Sequence, residues 1–305
     1  MKHPGYLSFE LFSRFLAALP KRGLYLFADL LFFIGHYLIG YRKKVVYANL
    51  KRAFPEKSPR EIRQTALAFY RHLADVMVED MAMLHMKPTK LKQFVTLPDL
   101  DVLEELYQNK RNVTGLLGHY GNWEFLTTVP LYSRYTILSV YKPLKNKFFN
   151  RKIYQMRKRF QEIPVPMREV YQQVIRHQTK GHPFIAGFVA DQAPPKNKSH
   201  YWTSFLNQET AFFTGAEKIA RKFNHTVIFT AVKKLKRGSY QVIVRKLADE
   251  AGETREHEIT EKYVRALEQL IREEPAFWLW SHRRWLLRQH RAGSGDRPHA
   301  DTRGM

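Results

Sequence analysis

The stretch VTGLLGHYGNWE, residues 113–124, joins a short apolar run to a histidine that stands between two glycines. Its first five residues have the length and the apolar, partly β-branched character of a buried strand. Residues 118–121 interrupt that pattern as a loop does, and Asn122 is a favourable N-cap for a helix that carries Glu124. The stretch therefore predicts a strand, a loop and a helix in succession, the repeating unit of α/β proteins.

The same alternation continues along the chain. Further runs of strand length occur at residues 135–140, 184–190, 226–232 and 240–247, and the last two flank a hairpin-type turn at 236–239. Helical patterns occur at residues 122–131, 145–160, 168–179 and 214–223, and a last one runs from about Thr260 to before Pro275. We therefore expect an α/β fold with a central, mostly parallel sheet flanked by helices.

A hydrophobic segment, LYLFADLLFFIGHYLIGY, occupies residues 24–41 and has basic residues on both sides. A membrane crossing takes about 20 mainly apolar residues, and this segment is slightly shorter and contains Asp29 and His36. It predicts an N-terminal anchor helix that either spans the membrane or lies in one leaflet. A buried helix of a soluble domain is the alternative. The basic block at residues 42–44 favours a cytoplasmic position for the rest of the protein.

These patterns divide the chain into three parts: a membrane anchor at residues 1–45, one α/β domain at 46–290 and a tail at 291–305. Within the domain, SPRE at residues 58–61 combines a capping box with proline at the first helical position, so a helix should begin there. The tail is polar and has no periodicity, which predicts disorder.

Composition restricts the partners and the chemistry. With 51 Lys and Arg against 28 Asp and Glu, the formal net charge is +23, which predicts attraction to anionic lipid, nucleic acid or an acidic protein. A nucleic-acid-binding protein would not need the apolar anchor, so anionic membrane lipid is favoured and nucleic acid is disfavoured. The absence of Cys excludes disulfides, thiol nucleophiles and cysteine-based zinc sites. The histidines show no metal-ligand spacing, so we expect no metal site.

His119 follows a predicted strand, and ligands of open α/β sheets bind beyond the carboxyl ends of the strands. A carboxylate on one nitrogen of a neutral imidazole makes the other nitrogen a base that can deprotonate a hydroxyl. Glu124 is placed to supply that carboxylate, and amide groups at the helix start are placed to hold an oxyanion. Because the loop has no Ser or Cys, direct attack by a substrate hydroxyl is the simpler route. An ordinary turn with two unrelated polar residues is the alternative, since this spacing alone is a weak signal.

Five segments, taken together, resemble the lipid A biosynthesis acyltransferases, the late acyltransferases within the lysophospholipid acyltransferase superfamily. They are GLLGHYGNWE (115–124), NLKRAFPE (49–56), FVADQAP (188–194), FFTGAEKIARKF (212–223) and PAFWLWSHRRW (275–285). The resemblance runs in order from about residue 20 to residue 287. It implies a glycerolipid acyltransferase-like fold on the cytoplasmic face of the bacterial inner membrane. It also implies transfer of a fatty acyl group from acyl carrier protein (acyl-ACP) or from coenzyme A (acyl-CoA) to a hydroxyl of a lipid A precursor, with no cofactor.

The resemblance also implies roles for individual residues. His119 and Glu124 match the family's catalytic histidine and partner acid, an HX4E motif. The family's arginine falls at Arg157, and the acidic residue of its Asp-Gln pair falls at Asp191. A solvated charge for Arg157 and a turn cap for Asp191 are the ordinary alternatives.

We further expect substrate contacts from Asn122, Arg159 and Gln192, where Arg159 is also the alternative to Arg157 in the family match. Residues 204–215, SFLNQETAFFTG, depart from the family pattern and are expected to border a substrate channel. In WLWSHRRW, residues 278–285, alternating aromatic and cationic residues favour a membrane-interface or phosphate contact, with a core strand as the alternative.

Two other functions stay open at this point. The same chemistry would serve an acyltransferase for a lysophospholipid or for an amino-acid-containing lipid. A non-enzymatic basic protein that binds membrane or nucleic acid through charge alone would show binding that falls steeply with salt and does not depend on His119.

Overall fold

A computed structural model describes residues 4–194 and 200–285 of the protein. The strands in chain order are β1 (Val95–Thr96), β2 (Val113–Leu117), β3 (Thr136–Tyr141), β4 (Glu162–Pro166), β5 (Phe184–Val189), β6 (His200–Phe205), β7 (Gln208–Phe213), β8 (Thr226–Lys236) and β9 (Ser239–Ala248). Seven of them form one sheet in the order β1-β9-β8-β2-β5-β3-β4, and β6 pairs with β7 in a separate antiparallel hairpin. In the large sheet every neighbouring pair is parallel except β8 with β9.

Helices cover both faces of this sheet. They are α1 (Pro4–Ala18), α2 (Lys21–Phe33), α3 (Lys43–Ala53), α4 (Pro59–Met83), α5 (Pro88–Leu91), α6 (Leu100–Gln108), α7 (Lys147–Arg159), α8 (Val170–Gln178), α9 (Gly215–Lys222) and α10 (Glu258–Glu273). A π-helical segment, Ile34–Ile39, continues α2, and a 3₁₀ helix, Trp123–Leu131, follows β2. The predicted α/β fold with a mostly parallel central sheet is confirmed.

Local sequence signals explain several of these boundaries. Ser58 and Glu61 form the reciprocal capping box at the start of α4, as predicted. β8 ends at Lys236 and β9 begins at Ser239, so the predicted hairpin turn is also confirmed.

The strand β4 was not predicted from the sequence. Its residues are EIPVP, and proline cannot donate a ladder hydrogen bond, which makes the segment read as a loop. The structure places β4 at the edge of the sheet, paired with β3 alone. An edge position tolerates the two prolines because one side of the strand needs no donor.

Side chains alternate between two cores along the strands. In β2, Leu116 belongs to a cluster with residues of α10, whereas Val113 belongs to a cluster with residues of α2, α6 and the end of α4. Gly115 and Leu117 lie on the same face as Val113. The sheet therefore separates an α10 side from an α6 side.

Most of the WLWSHRRW segment packs inside the protein, which argues against the predicted membrane-interface or phosphate contact, although Arg283 is exposed. Trp278, Trp280 and Arg284 are at most 2% exposed. The Arg284 guanidinium donates to the carbonyl of Ala211 in β7 at 2.6 Å. Trp278 and Trp280 therefore fill the α10-side core, as the alternative interpretation expected, but residues 278–285 do not form the strand that it assumed.

The hydrophobic N-terminal segment also packs against the domain. Helices α1 and α2 lie against α4, and the predicted boundary between residues 45 and 46 falls inside α3. The predicted polar tail, residues 291–305, lies outside the described part of the chain.

Candidate active site

Parallel pairing of β2 with β5 builds the site. Leu117 and Val189, the last residues of the two strands, are in register with each other. His119 and Asp191 each follow by two residues, so both lie just beyond the carboxyl edge of the sheet. Although 72 positions separate them in the sequence, the sheet brings them together. This is the edge at which α/β proteins bind ligands, as predicted for both residues.

The His119 imidazole is held by Asp191. Its Nδ1 lies 2.6 Å from Asp191 Oδ1, and the backbone N–H of His119 donates to Asp191 Oδ2 at 2.9 Å. Burial alone would lower the pKa of His119, but the charge of Asp191, the hydrogen bond to it and the charge of Glu124 raise that pKa above its usual value. With Nδ1–H donating to the carboxylate, Nε2 is the nitrogen that accepts a proton.

Asp191 lies in surroundings that keep it ionised. It is buried, and it accepts a third hydrogen bond from the indole N–H of Trp278 at 2.8 Å. Burial by itself would raise the pKa of Asp191, but the charge of His119 and the hydrogen bonds from His119 and Trp278 lower it to about 2. Sequence reasoning missed Trp278, because its only signal was the aromatic alternation that had suggested an interface.

Gln192 lies on the free side of the imidazole. Its side-chain Nε2 is 3.2 Å from His119 Nε2, so the amide can donate to the neutral ring. The ring of Trp123 packs edge-on against the imidazole, with the two ring centres 4.9 Å apart. Both contacts restrain the orientation of the imidazole.

Glu124 pairs with Arg157 and not with His119. Nη2 of Arg157 lies 3.0 Å from Oε1 and 3.1 Å from Oε2 of Glu124. The predicted direct pairing of His119 with Glu124 is therefore corrected: the strands β2 and β5 present Asp191 to the imidazole, and α7 presents Arg157 to Glu124. Burial would lower the pKa of Arg157, but the charges of Glu124 and Glu162 raise it.

The loop between β2 and the 3₁₀ helix depends on Gly121. Its φ is +61°, and a Cβ there would lie 1.8 Å from the carbonyl oxygen of Val232 in β8. Only glycine fits such a close approach at positive φ. Two amides of the loop itself are already occupied: Tyr120 N–H donates to the Gly118 carbonyl, and Gly121 N–H donates to the Phe277 carbonyl.

Asn122 caps the 3₁₀ helix, as predicted, by accepting a hydrogen bond from the Glu124 N–H at 3.2 Å. Its side chain is fully buried, and its Nδ2 donates to Glu79 in α4 at 2.9 Å. These contacts favour a positioning role over the substrate contact expected from the sequence. Burial raises the pKa of Glu79 to about 7, although hydrogen bonds from Tyr25 and Asn122 oppose that shift.

Arg159, the alternative to Arg157, serves a different part of the fold. Its guanidinium donates to the carbonyls of Met83 and Leu84 at 2.6 and 2.7 Å, where α4 ends. Cations at helix C-termini satisfy carbonyls that have no partner within the helix. Arg157 is therefore the arginine that belongs to the site.

An open pocket, about 740 Å³ including the solvent space at its mouth, lies beside these residues on the α6 side of the sheet. Gly115 and Gly187, neighbours in the β2–β5 register, leave room on the sheet surface. Most of the wall is apolar, and it is formed by Leu103, Leu117, Leu126, Val129, Ile137, Ile185, Val189, Ile228, Val242 and Val244. Trp123, Glu124 and Arg157 also line it, so the cavity continues into the site.

The β6–β7 hairpin does not line this cavity, contrary to the expectation for residues 204–215. Phe205 and Phe212 are buried in the α10-side core, on the opposite face of the sheet. Arg284 beneath Phe212 and the α10 residue Glu268, which accepts from Leu206 N–H at 2.9 Å, fix the hairpin there. The departure from the family pattern in this segment therefore lies away from the cavity wall.

Comparison with known proteins decides the family. Residues 1–287 match the family described as bacterial lipid A biosynthesis acyltransferase. The chain belongs to this family. A search of curated proteins found no match. The matched range includes every residue of the candidate site, and family membership identifies the protein as an acyltransferase of lipid A biosynthesis in general terms.

Proposed function

We propose that this acyltransferase transfers a fatty acyl group from a thioester, carried by acyl carrier protein or coenzyme A, to a hydroxyl of a lipid A precursor. The observation that carries the proposal is the His119 imidazole. Its Nδ1 is held by Asp191, and its ring packs against Trp123, which also lines the apolar cavity. A general base and an apolar chain pocket at one sheet edge are what acyl transfer to a hydroxyl requires.

In this mechanism Nε2 of His119 takes the proton from the acceptor hydroxyl as its oxygen attacks the thioester carbonyl carbon. A C–O bond forms, the C–S bond breaks, and the imidazolium returns the proton to the departing thiolate. Asp191 stabilises the imidazolium and keeps Nδ1 protonated. The products are an ester and a free thiol, so no cofactor is consumed.

The other site residues support this step. Arg157, held by Glu124, supplies a partly buried positive charge for the carbonyl oxygen or for a substrate phosphate. Gln192 marks the place of the acceptor hydroxyl, because its amide already makes a hydrogen bond to Nε2. The acyl chain lies against the apolar wall between Leu117 and Val244.

For its location we propose the cytoplasmic face of the bacterial inner membrane, where the apolar N-terminal helices and the net charge of +23 favour anionic lipid. The family is described as bacterial lipid A biosynthesis acyltransferase, and this description favours a lipid acceptor. A lysophospholipid or an amino-acid-containing lipid is the alternative acceptor.

The proposal is tested by mass spectrometry of lipid A from a bacterial host that lacks its own late acyltransferase. The host receives the wild-type chain, His119→Ala or His182→Ala, where His182 is an exposed histidine outside the site. We expect an added acyl mass with the wild type and with His182→Ala and none with His119→Ala, because a positioned base contributes roughly 10²–10⁴ in rate.

An added mass with His119→Ala at equal protein level would contradict the mechanism. No added mass with any variant would contradict the lipid A acceptor. Purified protein assayed with acyl-ACP and acyl-CoA then identifies the donor.

A further inference from the structure

Helix α2 and its π-helical extension carry an apolar stripe on their outer surface. Leu26, Leu30, Phe33 and Tyr37 are 70%, 54%, 52% and 55% exposed. Their spacing of four, three and four residues places them on one face of the helix. Large apolar side chains exposed singly are ordinary, but a continuous stripe marks an interaction surface.

Helix α1 adds a second stripe beside the first. Leu7, Leu11 and Phe15 are each about half exposed and recur every four residues. The rings of Phe12 and Phe15 pack on Phe27 of α2, with ring centres 5.9 and 5.6 Å apart. The two helices therefore form one unit. More than half of the exposed large apolar side chains in the described part of the chain belong to its first 41 residues. We call the two stripes the N-terminal apolar face.

The inner side of α2 is fixed to the domain. Leu24 and Ala28 are fully buried against it. The Tyr25 hydroxyl donates to Glu79 of α4, the same carboxylate that accepts from Asn122 in the site loop. A rearrangement that detaches α2 would leave the buried Glu79 without this donor, which is costly.

Charged groups of the domain also lie along the length of α2. The Lys21 ammonium donates to the carbonyl of Gly238 at 2.6 Å, and Arg237 pairs with Asp29 at 2.7 Å. These contacts occupy the first half of Lys21–Ile39, the one helical stretch of the described residues that is long and apolar enough to cross a membrane. A crossing in this packed state would take the ammonium and the Arg237–Asp29 pair into hydrocarbon, where charges are expensive.

Basic residues border the N-terminal apolar face. Helix α7 packs on α1 through the stacked rings of Phe148 and Tyr6, whose centres are 4.1 Å apart. Exposed cations cluster around the start of α7, namely Lys142, Lys145, Lys147 and Arg151. An apolar face with a cationic border complements a bilayer whose surface is anionic. Further along, α7 carries Arg157, so the docked face is continuous with an element of the site.

We propose that α1 and α2 do not span the membrane but lie in the plane of an anionic bilayer, with the N-terminal apolar face in one leaflet and the α7 cations at the headgroups. The mouth of the site is thereby held at the surface from which a lipid acceptor comes. This inference rests on the proposed membrane location of the enzyme and is independent of its chemistry.

Single cysteines at the two ends of the apolar stretch test this arrangement, because the natural chain has no Cys. Arg22→Cys and Lys44→Cys each replace an exposed side chain. Both variants are expressed in a bacterium and exposed to a membrane-impermeant maleimide, in spheroplasts and in inverted inner-membrane vesicles. An in-plane helix gives the same result for both: no labelling in spheroplasts and labelling in inverted vesicles.

Labelling of the two cysteines from opposite sides would overturn the proposal in favour of a span. Recovery of the protein in the soluble fraction would overturn it in favour of a soluble protein. Neither readout uses catalysis, so an inactive enzyme with both cysteines on one side would contradict the proposed function and leave this inference standing.

A second measurement uses vesicles of phosphatidylglycerol and phosphatidylethanolamine in a flotation assay. The double variant Leu26→Glu/Leu30→Glu should lower the bound-to-free ratio at least about tenfold, because two large apolar side chains leave the lipid. Ile175→Glu, a matched change of an exposed residue on α8, should leave binding unchanged. Equal binding by the double variant would contradict the docking face. Thermal melts check that each variant folds, as expected for exposed positions.

Discussion

Two ion pairs lie at the edge of the sheet, and they differ in which of their atoms remain available for chemistry. In the first, Asp191 holds Nδ1 of His119 and leaves Nε2 available as a base. In the second, both carboxylate oxygens of Glu124 contact one nitrogen of Arg157, so the guanidinium is held in place through that nitrogen. The first pair is arranged for proton transfer and the second for placing a positive charge. Spacing along the chain had joined His119 to Glu124, but the fold assigns them to different pairs.

The largest expected loss of activity comes from a change in the first pair, His119 and Asp191. Asp191→Asn should lower kcat/KM by roughly 10²–10⁴, because the amide can present its NH₂ to Nδ1 and favour the wrong tautomer. The measurement is the steady-state rate of acyl transfer from a thioester donor. Asp249→Asn, a change at an exposed aspartate outside the site, is the matched control and should retain the wild-type rate. A near-wild-type rate for Asp191→Asn would show that His119 does not need Asp191 to act as the base.

The second pair should show a smaller effect. Glu124→Gln and Arg157→Lys are each expected to lower kcat/KM by roughly 10- to 100-fold. The first removes the carboxylate that holds Arg157 and the second moves the positive charge, but both leave the base in place. The double variant should cost less than the product of the two single effects, because each residue holds the other. A double-mutant cycle measures this coupling. Fully multiplicative effects would show that the two residues act separately.

Much of the sheet was predictable, and the reasons are local. β2 and β5 are short, mostly apolar runs, and their predicted ranges match the structure to within a residue. β4 was not predictable, because proline removes ladder donors and only its edge position makes such a strand stable.

The residues of the site could be predicted from the sequence more readily than the contacts between them. His119 and Asp191 each follow a strand, and that position alone placed both at the ligand edge. Their contact depends on β2 and β5 being neighbours in the register Leu117 to Val189, a long-range fact that no local pattern contains. Trp278 was missed for the same reason, since it reaches Asp191 from a segment 87 positions later.

The pH dependence of kcat/KM, measured for the wild type and for Asp191→Asn, tests the central claim that Asp191 makes His119 the base. Because the base acts in its neutral form, activity falls as pH drops through the pKa of His119, which Asp191 and, to a lesser degree, Glu124 raise above its usual value. Loss of the Asp191 charge should therefore move this acid limb to lower pH, and Glu124→Gln should move it less in the same direction. An acid limb that stays in place, or that moves to higher pH, in Asp191→Asn would contradict the account.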